Sequence, residues 1–226
     1  MQIAGQLETA SAALTPGPYP VIKRVIDVVI SAALLVLLSV VLLACAVAIR
    51  LDSPGPVFFR QRRVGERGRL FTMLKFRTMR LGADQGPHRA YAASFIRGQA
   101  SRERANGTGV FKLVRDTRVT LVGRWLRRTS MDELPQLWNV LRGEMSLVGP
   151  RPPIPYEVEH YQPNHRQRLA VTPGITGLWQ VRGRSKTTFD EMVALDLDYI
   201  QRRSLILDLH ILLATVPAVL STRGVH

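Results

Sequence analysis

Apolar residues run almost without interruption from Val25 to Ile49, broken only by Asp27, Ser31 and Ser39. A helix of that length reaches across the hydrocarbon core of a bilayer. Lys23 and Arg24 precede the run, and Arg50, Arg60, Arg62 and Arg63 follow it. Positive charge favours the cytoplasmic side, so a straight span satisfies only one end. A re-entrant helix that breaks near Ser39 and returns to the same face satisfies both, the serine hydroxyl bonding backbone groups freed at the break. Residues 23–51 are read in that form, and hydropathy alone leaves a simple span open.

The chain on either side is patterned differently. Residues 1–22 are small, polar and broken by Pro16-Gly17-Pro18, which predicts a flexible tail with no cleavable signal. Asp52 to Pro56 predicts a turn at the membrane exit. From Leu70 to Met79, Phe71, Met73, Lys75 and Arg77 alternate with Leu70, Thr72, Leu74 and Phe76, the period of a strand paired with the preceding segment as a hairpin. Residues 81–109 have little periodicity and predict a mobile loop with room for a short helix. Leu134, Leu137, Trp138 and Leu141 mark one buried helix face, with Gly143 as its stop. Helices are expected over Glu157–Leu169 and Phe189–Arg203. Residues 204–220, apolar but carrying Asp208, His210 and a bending Pro217, predict an interfacial helix. The expected class is α+β and helix-rich, a small catalytic domain over 52–226 behind a membrane helix.

Charge narrows the partners. The 226 residues carry a formal net charge of +14, which implies an anionic partner: a lipid face, a phosphorylated substrate or nucleic acid. Aromatic and basic residues are not interleaved on a recognisable nucleic-acid module, so no nucleic acid is expected. The one cysteine, Cys45, excludes an intrachain disulfide and fits a reducing compartment.

Candidate chemistry centres on Thr129-Ser130-Met131-Asp132-Glu133-Leu134-Pro135, where two adjacent carboxylates follow Arg127 and Arg128. With Asp132 as N-cap, the pair lies at a helix entrance that favours negative charge. Ser130 and Glu133 also have the spacing of a capping box, which needs no chemistry. Lys75 and Arg77 would emerge on one strand face as a phosphate-binding pair, or as two solvated charges. Prolines fix the backbone around Arg151, suiting its guanidinium to bidentate phosphate recognition or to a carbonyl cap. The glycine-rich stretch Gly174, Gly177, Gly183 displays Trp179, Gln180, Arg182 and Arg184.

Six ordered motifs resemble one family. They are Lys-Arg-Val-Ile-Asp at 23–27, Asp-Ser-Pro-Gly-Pro-Val-Phe-Phe-Arg-Gln at 52–61, Lys-Phe-Arg-Thr-Met at 75–79, Asp-Glu-Leu-Pro-Gln-Leu-Trp-Asn-Val-Leu at 132–141, Ser-Leu-Val-Gly-Pro-Arg-Pro at 146–152 and Pro-Gly-Ile-Thr-Gly-Leu-Trp-Gln-Val at 173–181. The chain is similar over Lys23 to Leu220 to bacterial sugar transferases that act as monotopic polyprenyl-phosphate phosphoglycosyl transferases. That resemblance implies a domain on the cytoplasmic face of the inner membrane and an Asp-Glu dyad with Mg²⁺. It implies transfer of a sugar 1-phosphate from a UDP-sugar to polyprenyl phosphate, with UMP released. Asp132 would be the nucleophile and would handle metal and phosphate with Glu133. Lys75, Arg127 and Arg151 match family positions around the substrate, and Asp196 matches a late aspartate, with Asp198 close by. Gln180, Arg182, Arg184 and Arg77 complete the substrate-side candidates. Where the family commonly has a proline after the breaking serine, this chain has Val40, so a straighter, deeper helix stays open. Which sugar is carried, and whether the chain forms a homo-oligomer, is not encoded in any motif.

Overall fold

A computed structural model describes residues 17–82, 86–99, 103–105, 108–110, 118–183 and 187–220. The apolar run folds as two helices, α1 (Tyr19–Leu37) and α2 (Ser39–Asp52), bent by 62° at Leu38. The first begins four residues before the predicted boundary, because Pro20 sits in its first turn, where a missing N–H costs nothing. The predicted tail 1–22 is therefore shortened from its C-terminal end, and residues 1–16 lie outside the described set. The bend forms with Val40 in place: Leu38 leaves helical geometry at φ −92°, ψ 5°. Among the described residues no single helix is long and apolar enough to cross a membrane, whereas the bent pair together is. Val36, Leu37 and Val40, around the bend, are each about three-quarters exposed.

Polar ties hold α1 to the rest of the molecule. Asp27 is buried and accepts from the Leu147 N–H at 3.1 Å. Arg24 donates to the carbonyls of Val140 and Leu141 at 2.6 and 2.9 Å. Tyr19 and Lys23 both donate to Asp208, at 3.0 and 2.8 Å, and Tyr199 donates to the same carboxylate at 2.8 Å. The first helix and the last are clasped by one aspartate.

The predicted hairpin is present as β1 (Phe58–Val64) antiparallel to β2 (Leu70–Phe76), in register from Phe58↔Phe76 to Val64↔Leu70. The second strand stops at Phe76 rather than Met79, and Met79 instead bridges Val119. The region expected as a loop carries α3 (Gly86–Ile96) and a small hairpin, β3 (Glu103–Ala105) with β4 (Thr108–Val110). Next come α4 (Leu121–Arg128), α5 (Gln136–Leu141) and β5 (Ser146–Val148). The single helix expected over Glu157–Leu169 is instead broken into α6 (Pro155–Val158), α7 (Pro163–Arg166) and a 3₁₀ turn at Gln167–Ala170. Pro163 can open a helix but not continue one, which is why the run divides there.

Strand β6 (Gly174–Thr176) pairs parallel to β5, and α8 (Leu178–Arg182), α9 (Phe189–Arg202) and α10 (Leu205–Leu220) complete the chain. The glycines serve this strand pair: a Cβ on Gly174 would stand 2.1 Å from the Gly149 nitrogen, and one on Gly149 2.6 Å from the Thr172 oxygen. The largest core cluster gathers Leu137, Leu147, Val148, Leu178, Tyr199 and Ile211 from α5, β5, α8, α9 and α10. The architecture is helix-rich α+β, as expected, with its sheets reduced to two-stranded pairs among the described residues.

Candidate active site

The acid pair stands in a 3₁₀ turn, Met131–Glu133, between α4 and α5. Helix α4 is capped by Thr120, whose hydroxyl accepts from the Gly123 N–H at 3.0 Å. Only glycine fits at 123, since a Cβ there would lie 2.1 Å from the Thr78 oxygen. This close approach sets the first turn of α4 against residues just beyond β2, and further along the helix Arg127 Nε donates to Thr78 Oγ1 at 2.9 Å. Ser130 then takes left-handed geometry, φ 57°, uncommon outside glycine, and turns the chain into the dyad.

Neither capping expectation holds. Helix α5 starts at Gln136 with Pro135 as its N-cap, so Asp132 is not the cap. Ser130 makes no side-chain cap, and Glu133 is engaged elsewhere. Its Oε1 receives Lys75 Nζ at 2.5 Å and lies 3.6 Å from an Arg151 nitrogen. The buried face of α5 also differs from the prediction: Gln136, Leu137, Asn139 and Val140 are buried, whereas Trp138 is half exposed.

The two carboxyls differ sharply. Burial raises Glu133, but Lys75, Arg151 and Arg63 outweigh it and pull its carboxyl down to about 2. Burial pushes Asp132 up to about 6, against the pull of Lys75 and with repulsion from Glu133 added. Asp132 is half-buried, and its carboxylate has no hydrogen bond or ion pair among the described residues. Lys75 is itself lowered by burial, which Glu133 opposes. The result is one carboxylate locked by cations beside one whose oxygens are open.

Other predicted residues separate. Lys75, Arg127 and Arg151 converge on the dyad, each acting electrostatically on Asp132. Arg77 does not join them. It is buried beyond the end of β2, and its guanidinium donates to the carbonyls of Pro54, Ser53 and Ile49, capping the exit from α2. Asp196 is 1% exposed and paired with Arg168, inside the domain. Asp198 lies on the surface with Arg202. Gln180 donates to the Ile175 carbonyl at 3.1 Å, Arg182 is exposed at the end of α8, and Arg184 lies outside the described residues.

Three positioning residues escaped the sequence reading. Asn139, fully buried, accepts from the Leu74 N–H at 2.9 Å and donates to the Thr72 carbonyl at 2.8 Å. It thereby fixes the strand bearing Lys75 against the helix that follows Glu133. Arg63, also buried, donates to the Pro152 carbonyl at 2.8 Å and steadies the Arg151 loop. Arg168 reaches Tyr161 Oη at 3.0 Å and the Arg151 carbonyl at 3.5 Å. An amide at a buried helix position in 132–141 was the one available signal, and the two arginines carried none.

The dyad's hard oxygen donors suit Mg²⁺, which is held by one or two carboxylates and completed by substrate phosphates and water. No cluster of three or more acidic, His or Cys ligands occurs among the described residues. Asp132 and Glu133 are the residues that fit.

A helix-rich domain behind a bent apolar helix pair, with an Asp-Glu pair ringed by Lys75, Arg127 and Arg151, defines a phosphoryl-handling enzyme. The bacterial sugar transferase family model matches residues 18–222, and the chain belongs to that family. It is 47% identical over 223 residues to the UDP-glucose:undecaprenyl-phosphate glucose-1-phosphate transferase of Caulobacter vibrioides, covering 93% of this chain and 76% of that protein. It is 42% identical to the exopolysaccharide production protein ExoY of Sinorhizobium fredii, covering 89% and 87%. It is also 42% identical to the galactosyl transferase CpsE of Streptococcus agalactiae, covering 89% of this chain but only 43% of that longer protein.

Proposed function

We propose that the protein transfers a sugar 1-phosphate from a UDP-sugar to polyprenyl phosphate, releasing UMP, through a phosphosugar carried on Asp132. The observation that carries this reading is the asymmetry of the dyad: Glu133 is fixed by Lys75 and Arg151, while Asp132 keeps its oxygens free. An open carboxylate beside three cations is equipped to attack an anionic diphosphate.

In the first step an Asp132 oxygen forms a bond to the phosphorus that bears the sugar. The bond from that phosphorus to the bridging oxygen breaks, and UMP departs with the electron pair. Lys75, Arg127 and Arg151 offset the charge that gathers on the phosphoryl oxygens. Bound Mg²⁺ would neutralise diphosphate charge at Asp132 and Glu133. In the second step an oxygen of polyprenyl phosphate attacks the same phosphorus and Asp132 is released as a carboxylate. Splitting the transfer lets one site serve a soluble donor and a lipid acceptor in turn. The bent pair α1–α2 enters the inner membrane from the cytoplasmic face and returns to it, as its basic flanks favour. The domain then rests on anionic headgroups.

The test is UMP release from a panel of UDP-sugars with Mg²⁺ and no acceptor. At most a stoichiometric burst is expected, with an intact-mass increase of one sugar phosphate that Asp132→Asn lacks. Full turnover by Asp132→Asn would overturn the assignment.

A further inference from the structure

Arg63 is a cation that the transfer steps do not use, and its surroundings are unusual for a charge. It lies on β1, is 6% exposed, and has every guanidinium nitrogen engaged. Nε and Nη2 both donate to Gln61 Oε1, at 3.1 and 2.7 Å, and Nη1 donates to the Pro152 carbonyl at 2.8 Å. Both acceptors are neutral. No carboxylate forms an ion pair with Arg63 among the described residues. The nearby acids are committed elsewhere: Glu157 accepts from the Ile154 N–H at 2.8 Å, and Glu133 receives Lys75 Nζ at 2.5 Å. A buried guanidinium ordinarily takes a carboxylate partner, because neutral acceptors satisfy its N–H groups and leave its charge unmatched.

That unmatched charge stands on the side of the hairpin that serves the dyad. Phe59, Gln61 and Arg63 alternate along β1 and lie opposite Lys75, Met73 and Phe71 on β2, so Gln61 and Arg63 share the Lys75 face. Pro152, which Arg63 holds, directly follows Arg151. Burial, with Arg151 adding to it, brings the Arg63 guanidinium down to about 10, so it stays protonated at neutral pH. Its charge is felt at Lys75 and Glu133. Two like charges, Arg63 and Arg151, are thus held close together, an arrangement unfavourable by itself and relieved by a bound anion.

We propose that Gln61 is a positioning residue for the transfer reaction: it anchors Arg63 through a neutral oxygen, so that the guanidinium keeps its full charge for the diphosphate of the donor. Arg63, being buried, acts through its field and through the Arg151 loop rather than by contact. A carboxylate at position 61 would hold Arg63 at least as firmly and cancel that field. The inference rests on the transfer reaction proposed above, and it accounts for an amide rather than an acid at this place.

The test compares Gln61→Glu and Arg63→Met with the wild type, as full-length protein in lipid nanodiscs, by Tm and by equilibrium binding of UDP with Mg²⁺. UDP carries the diphosphate whichever sugar the donor bears. Gln61→Glu should keep or raise Tm, since the buried guanidinium gains an ionised partner. It should nevertheless weaken UDP binding by about tenfold or more, the scale for a residue one contact removed from a ligating group. Arg63→Met, with Gln61 intact, should weaken UDP binding by a similar factor. Wild-type affinity in Gln61→Glu would overturn the proposal, and so would a fall in Tm alongside affinity, which marks a structural prop. A loss in Gln61→Glu that Arg63→Met does not share would overturn it too, as direct repulsion of the diphosphate. UDP binding requires no transfer, so unchanged affinity sinks this inference alone, whereas a wild type without a UMP burst sinks only its parent.

Discussion

Asp132 and Asp196 have carboxyls pushed to the same value, about 6, by the same first cause, burial. Their surroundings are otherwise opposite. Asp132 is half-buried in a strained turn, without a hydrogen bond among the described residues. Asp196 is 1% exposed and bound to Arg168, which Tyr161 also engages. A displaced titration marks a buried acid and nothing more; reach and free lone pairs decide whether that acid can react. Asp196 braces the Arg151 loop from beneath through Arg168, and Asp132 faces what Arg151 attracts.

The contrast can be broken in graded ways. Asp132→Asn should lower the UMP burst by at least about a thousandfold, the scale of losing a nucleophile, with Tm unchanged. Asp196→Ala should do the reverse, costing about 3–5 kcal/mol of stability by leaving Arg168 buried and unpaired, read as a large fall in Tm. An Asp196→Ala protein that folds normally yet gives no burst would collapse the distinction. Glu133→Gln should lower kcat by about ten- to a hundredfold, because Lys75 loses its charge-assisted partner. With pH, the burst rate should climb as Asp132 ionises and then level off, and Mg²⁺ held at the dyad should move that rise to lower pH. Glu133 acts on stability with the other sign. Its carboxyl is depressed to about 2 from 4.5, so its contribution is present above 4.5 and lost as pH falls towards 2, measurable by acid unfolding. Asp198→Ala, on the surface with Arg202, should change stability by no more than about 0.5 kcal/mol.

Legibility from sequence followed the range of the interactions involved. The hairpin, α9 and the Gly143 stop are written in local periodicity and turn chemistry, and each is present, the hairpin with its second strand cut short at Phe76. The dyad and its three cations were legible as motifs, and they converge. Arg77 was misplaced because alternation gives a residue's face but not where its strand ends, and the strand ends one residue too soon. The choice between Asp196 and Asp198 depends on which side of α9 meets Arg168, a contact 28 residues away that no local pattern encodes. The bend at Leu38 forms without the proline that would have announced it.

The Asp208 clasp bears on how the protein is made. Tyr19 and Lys23 wait for an acceptor 189 and 185 residues further along the chain. A ribosome delivers the apolar leading helices long before the helix that fastens them, and contacts so distant in sequence form late. Until then those helices need some other apolar surroundings, which the membrane insertion proposed above would supply.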